Sequence, residues 1–314
     1  MGMIKNLKPL IRGVATYVPG INQIYRGQEC GTYSARYCYS VWLRHLVTAK
    51  RNGLNPYPKV VAELGPGNSL GIGLAALISG SEKYFGFDVV AYSTNDTNLR
   101  IFDELVTLFR NRTPIPGPDE FPVVGPFLEQ YDFPVDILDK QRMNHALGKS
   151  RVSSIKAAIS KVGTEDSIIQ YKVPWYGPDV LEKDSVDMIY SQAVLEHVDD
   201  LRDTYKSMHT WLTSTGFISH QIDFKCHGTA EDWNGHWKHS DLKWRLIRGR
   251  RPFLINREPH SVHISILNEE GFHVVCDIQI KEESGISKDE LAPRFRSISN
   301  DDLTTRSAFI QARK

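Results

Sequence analysis

The sequence predicts an α/β fold: a Rossmann-like, mostly parallel sheet with helices on both faces. Three observations predict it. Short β-branched runs such as "KVVAEL" (59–64) and "VDMIYS" (186–191) have the unbroken apolar character of strands buried on both sides. They alternate with helical patterns, as in a chain that winds a parallel sheet. A glycine turn, "ELGPGN" (63–68), joins the first run to an apolar helix.

Taken in order, residues 1–58 read as a helical N-terminal cap ending in the linker "NGLNPYP". Tyr37, Val41, Leu43 and Leu46 give its second half a helical apolar spacing. After the first strand, "SLGIGLAALISG" (69–80) predicts a helix stopped by Gly80, and "KYFGFDVV" (83–90) a second strand ending at an acid. A helix over 94–112 follows, capped at Asn95 or Thr97. Prolines 114, 116, 118, 122, 126 and 134 exclude regular structure from the next stretch, and helical spacing returns over 149–162. Strands are expected in 166–175, 185–198 and 217–228, the second opening directly into a helix over 201–216 that Gly216 closes. Two late strands lie in 269–280 and 307–314. The catalytic domain spans 59–314, with insertions at 109–164 and 227–262.

Composition excludes several classes. With 41% hydrophobic residues, 24% charged residues and a net charge of +1, the chain reads as globular, with no global pull toward nucleic acid. No run approaches the ~20 apolar residues of a membrane span. Cys30, Cys38, Cys226 and Cys276 are scattered, which fits a reducing cytoplasm and excludes a zinc knuckle. Oligomeric state is not readable.

In a doubly wound sheet, ligands sit at the carboxyl ends of the strands. The turn there lacks the third glycine of a dinucleotide fingerprint, since Leu70 occupies its place. Glu63 stands two residues before Gly65, where a pyrophosphate would be repelled but a cationic ammonium would not. That favours S-adenosylmethionine over a nicotinamide dinucleotide. Asp88, ending the second strand, can accept from both ribose hydroxyls.

At these residues ("VVAELGPGNSLG", the acid of "GFDVV", and "VDMIYSQAVLEHV") the chain resembles the class I S-adenosylmethionine-dependent methyltransferases, over roughly 59–108, 165–227 and 262–314. The resemblance implies a seven-stranded sheet with an antiparallel last strand, supplied by "SAFIQARK". It implies S-adenosyl-L-methionine held by Glu63, Gly65, Pro66, Gly67, Asn68, Asp88, Val89, Ser191, Gln192 and Ala193. "QYKVPWYG" offers no acid for the adenine amine, leaving a backbone group or Trp175.

Methyl transfer to a hydroxyl needs the acceptor in line and a base for its proton. The tract after the fifth strand holds His220, Asp223, His227, His236 and His239 among Trp233, Trp237 and Trp244. His227 is the expected base, Asp223 orients it or binds the acceptor, and His220 is the reserve. His197 reads as a capping or packing residue. The His/Asp group could also chelate a divalent metal, but its spacing matches no standard motif, so no metal ligands are assigned.

"WNGHWKHSDLKWRL" (233–246) and "INRE" (255–258) are also similar to methyltransferases of surface-polysaccharide and glycan synthesis. That implies a glycan or other small hydroxyl-bearing acceptor met by Trp233, His236, Trp237, Asn256 and Arg257. Those enzymes carry an acid where Cys226 stands here. Two alternatives stay open. "KWRLIRGRRPF" (243–253) and the basic N-terminal segment suit an RNA methyltransferase, although no stable nucleic-acid complex is expected from short runs. The other alternative is a non-catalytic nucleotide binder of the same fold.

Overall fold

The computed structural model describes residues 2–18, 31–175, 177–251 and 253–314. Of the N-terminal segment, it contains helices α1 (Gly2–Ala15) and α2 (Ala35–Arg51). Residues 19–30, with Cys30, lie outside the described residues. Then come β1 (Val60–Leu64), α3 (Gly71–Ser79), β2 (Lys83–Phe87) and α4 (Asn95–Arg110). Thr94, one residue before the expected cap, caps α4 by accepting from the Thr97 N–H at 3.3 Å. The first insertion ends in two helices, α5 (Lys140–Ala146), which the sequence did not predict, and α6 (Lys149–Ile159). β3 (Ile169–Lys172) and β4 (Val186–Gln192) follow.

β4 does not open directly into a helix: a single 3₁₀ turn, Leu195–His197, precedes α7 (Leu201–Trp211). α7 stops five residues before Gly216 and runs straight into β5 (Leu212–Asp223). Leu212 already pairs with Val186 of β4, so sheet pairing overrides the glycine stop signal. α8 (Asp241–Arg248), α9 (His260–Glu269), β6 (His273–Lys281), α10 (Asn300–Thr304) and β7 (Thr305–Arg313) complete the chain.

All seven strands form one sheet in the order β3-β2-β1-β4-β5-β7-β6. The pairs among β1 to β5 are parallel, while β7 runs antiparallel to both β5 and β6. One face is buried by α2, α3, α4, α6 and the first insertion, the other by α7 and α9. Burial on both faces is why the inner strands read as continuous apolar runs.

The two insertions are held differently. Prolines leave carbonyls without matching donors, and buried Arg44 supplies donors to the proline-rich stretch. It donates to Pro116 O at 2.9 Å, Pro126 O at 3.2 Å and Val124 O. The second insertion receives α1: a Cβ on Gly13 would lie 2.0 Å from the Leu246 carbonyl, so only glycine permits this α1–α8 approach. Trp237 joins residues 286–303 in a small satellite core. Among the described residues no helix is long and apolar enough to cross a membrane.

Candidate functional site

β1 and β4 are adjacent although two strands separate them in sequence, so the order of winding reverses between them. Crevices at such reversals hold ligands. Gly65 and Gly67 turn there with φ of +65° and +71°, conformations only glycine adopts freely. A Cβ on Gly65 would lie 2.6 Å from Val194, so this position is bare for packing as well as for backbone shape. The Gly67 N–H donates to Asp88 Oδ2 at 3.3 Å and the Val89 N–H to Oδ1 at 2.8 Å. Burial raises the Asp88 pKa, against the pull of these backbone donors. Val89 is half-exposed beside it.

Asn68 and Ser69 are covered by a 3₁₀ turn at Gly31–Tyr33. The Asn68 N–H donates to Thr32 Oγ1 at 3.1 Å, and Ser69 Oγ donates to Thr32 O at 2.5 Å. This lid over the glycine turn was not foreseen from the sequence, because nothing local links Thr32 to residues 36 positions later. Glu63 is 2% exposed in the layer under α2 and α3. Tyr84 and Tyr190 hydroxyls donate to its Oε2 at 2.7 and 3.2 Å, and burial lifts its pKa to about 8.

At the end of β4, Ser191 is fully buried with Oγ 2.8 Å from His220 Nδ1, Gln192 faces His45, and Ala193 is exposed with φ +54°. His220, the reserve base, is fully buried, and desolvation pushes its pKa down to about 3. It is therefore a packing residue under α7. The Trp175 ring lies 5.7 Å from those of both Phe87 and Trp211, tilted to the first and edge-on to the second.

Beyond β5, His227 Nε2 lies 3.6 Å from Asp223 Oδ2, and Lys225 Nζ lies 2.9 Å from the same oxygen. The His227 pKa is lowered, by burial first and by Lys225, with Asp223 opposing. His197, read as a packing residue, joins them with its ring 5.0 Å from that of His227. Burial lowers its pKa to about 4. Ala193, His227 and Arg257 (φ +54°, +46° and +70°) are non-glycine residues in the left-handed region. Strain of this kind, about 1–3 kcal/mol per residue, concentrates at functional sites.

Most of the expected acceptor residues have structural work instead. Trp237 is fully buried and donates to Arg257 O at 2.9 Å. Asn256 donates to Leu195 O and Val198 O at 2.8 and 2.9 Å, clamping the turn after β4. Buried Arg257 donates to His239 O at 2.8 Å and Asp241 Oδ1 at 3.0 Å, over the Trp244 ring. His236 is buried beside Trp237, yet with Glu196, Asp223, Asn256 and Arg257 it lines a small cavity. Trp233 alone of the set borders an open groove of about 420 Å³, with Lys225, Glu231, Asp232, Glu282 and Arg306.

No family model matches the chain, and no curated protein does. Solved structures are similar to it. An S-adenosylmethionine-dependent methyltransferase from Methanosarcina mazei is 13% identical, with TM-score 0.42, covering 84% of this chain and 96% of its own. One from Mesorhizobium loti is 13% identical, with TM-score 0.41, covering 86% and 98%. Phosphoethanolamine N-methyltransferase 2 of Haemonchus contortus is 13% identical, with TM-score 0.41, covering 90% and 58%. The order 3-2-1-4-5-7-6 with β7 reversed decides the fold.

It is the class I methyltransferase fold. On it, the glycine turn, Asp88 and the end of β4 occupy the reversal crevice, and the His227–Asp223 corner overhangs the end of β5. Part of the basic tract of 243–251 is engaged within the protein: Arg248 pairs with Asp199 at 2.6 Å and Arg251 donates to Ile247 O.

Proposed function

We propose that the protein is an S-adenosylmethionine-dependent methyltransferase acting on a hydroxyl of a sugar or similar small acceptor. The observation that carries this reading is the pairing of two left-handed glycines with buried Asp88 at the crevice between β1 and β4. A bare backbone admits a nucleoside closely, and a carboxylate with two acceptor positions left accepts both ribose hydroxyls. Residues Gly65–Asn68, Asp88, Val89 and Gln192–Ala193 would hold the cofactor. When bound, it supplies an electrophilic methyl carbon on a sulfonium.

The protein's own part is to orient the acceptor and take its proton. His227 does so with Asp223 orienting it; the acceptor lies in the groove beside Lys225 and Trp233, whose mixed charges and one indole suit a carbohydrate. The engagement of Arg248 and Arg251 within the fold favours this acceptor over RNA. A labelled-methyl transfer screen against sugar nucleotides and glycans, beside tRNA and small phenols, tests it. Label on a glycan hydroxyl supports the reading, and label on tRNA alone refutes the acceptor.

A further inference from the structure

Glu196 is a physical anomaly. It is 3% exposed, and among the described residues neither carboxylate oxygen has a hydrogen-bond partner. A buried carboxylate left alone costs several kcal/mol, and native proteins resolve that by protonation, pairing or a cation. Its favourable neighbours are the backbone amides of Glu196 and Asp223 and the charge of Lys225, while the charge of Asp223 opposes it.

The next residue, His197, has a buried Nδ1 that also lacks a partner among the described residues. Across from both, on the turn after β5, stands His227. One donor atom from each of Glu196, His197 and His227 lies within 4.8 Å of the others. Two imidazoles and a carboxylate converging from two loops form a ligand set, with no exposed acidic cluster involved. Asp223, 3.6 Å from His227 Nε2, stands where a carboxylate commonly orients a metal-bound histidine.

We infer that Glu196, His197 and His227 form a binding site for one divalent cation of the zinc class. Two nitrogens and one oxygen suit zinc better than the all-oxygen sets of magnesium or calcium. Tetrahedral ligands around zinc stand about 3.4 Å apart for bonds of ~2.1 Å, so donor atoms up to 4.8 Å apart close by up to about 1.4 Å on binding. His227, 29% exposed at its side chain, is the entry side, and Glu196 is the closed end. Three protein ligands leave a position open, and Lys225 borders both the Glu196 cavity and the open groove. An acceptor hydroxyl reaching that position would be acidified by the ion. The hydroxyl's proton would then leave to solvent, and His227, as a ligand, would no longer act as its base. The site itself goes beyond the methyl-transfer reading and does not depend on it.

Equilibrium dialysis of the tag-free, metal-stripped full chain against Zn²⁺ tests the inference, with Mg²⁺ as comparison. The expected result is one tightly bound Zn²⁺ per chain, at least about a hundredfold weaker in Glu196→Gln and in His227→Gln, and about 10–100-fold weaker in Asp223→Asn. His227→Gln changes a half-exposed side chain, so it reports even if Glu196→Gln disturbs folding. The cobalt-loaded protein should lack thiolate-to-metal charge-transfer absorption, which excludes capture by the cysteines. Binding that is unchanged in both Gln variants, or that shows thiolate absorption, overturns the inference. Calorimetry with S-adenosylmethionine on the same samples keeps the two readings apart. Zinc without cofactor binding sinks only the methyl-transfer reading; cofactor without zinc binding sinks only this one.

Discussion

Asp88 accepts from Gly67 and Val89 and keeps acceptor capacity toward the crevice. Asp88→Ala should abolish most S-adenosylmethionine binding in calorimetry while the far-ultraviolet dichroism stays unchanged, since the two lost bonds are to solvent-reachable turn amides. His227 supplies a second residue-scale prediction. Its pKa is lowered from the usual 6.5, so the ring is neutral and able to accept a proton at pH 7. In the metal-free protein, turnover should be flat above neutrality and fall on acidification through a midpoint below 6.5, and His227→Ala should keep cofactor binding but lose turnover by about 10²–10⁴-fold. A pH–rate profile and single-turnover assays measure both. His220 shows why residue type alone does not single out a base: histidines at one end of a strand differ by which face of the sheet they meet. Ser191 and Tyr205 enclose His220, whereas His227 lies past the last pairing.

The turn between β1 and α3 is built as one unit with the turn after β4. Gly65 carries a left-handed φ and has Val194 2.6 Å from where its Cβ would be. Gly65→Ala should therefore cost about 1–3 kcal/mol of stability and weaken cofactor binding. Adding Val194→Ala should relieve the clash but leave the φ penalty, so recovery is partial; urea unfolding of the single and double variants measures it. Full recovery would mean that backbone shape contributes nothing. In the second insertion one of the tryptophans has a packing task. Tryptophans in a polar tract suggested stacking on a ligand, but Trp237 fills a core with Ile286, Leu291 and Phe295. Trp237→Ala should lose about 3–5 kcal/mol by denaturant titration and lower activity only through the folded fraction.

Across the whole molecule, buried ionisable groups set how stability depends on pH. Desolvation pushes His45, His220 and His263 down to about 3. Unfolding lets each bind a proton anywhere between there and 6.5, so each removes up to about 1.4 kcal/mol per pH unit as pH falls through that window. His197 and His239, lowered to about 4, act the same way. Glu63 acts oppositely. Raised to about 8, it keeps a proton in the folded state that the unfolded chain releases above 4.5, so its contribution is lost as pH rises toward 8. Glu196, also raised, shares that sign. The imidazoles outnumber the acids, so urea midpoints should peak near pH 6.5, fall steeply toward pH 4.5 and fall gently toward pH 8. A midpoint that rises on acidification below pH 6.5 would contradict the burial assigned to these histidines.

Local pattern determined the strands, most helices, the glycine turn and the acid after β2, because each is specified within a few residues by periodicity or backbone requirement. The reversed β7 was legible only through resemblance, and the structure bears it out. Tertiary structure alone decided what depends on contacts between distant segments. Thr32 covers the turn from 36 residues away, Arg44 satisfies the carbonyls of a proline tract some 70–80 residues on, and Glu196 and His197 face His227 across two loops. A side chain's periodicity says which face it takes. Whether that face meets solvent, a tyrosine hydroxyl or another loop is a property of the packed chain, and burial then sets the charge each group can carry.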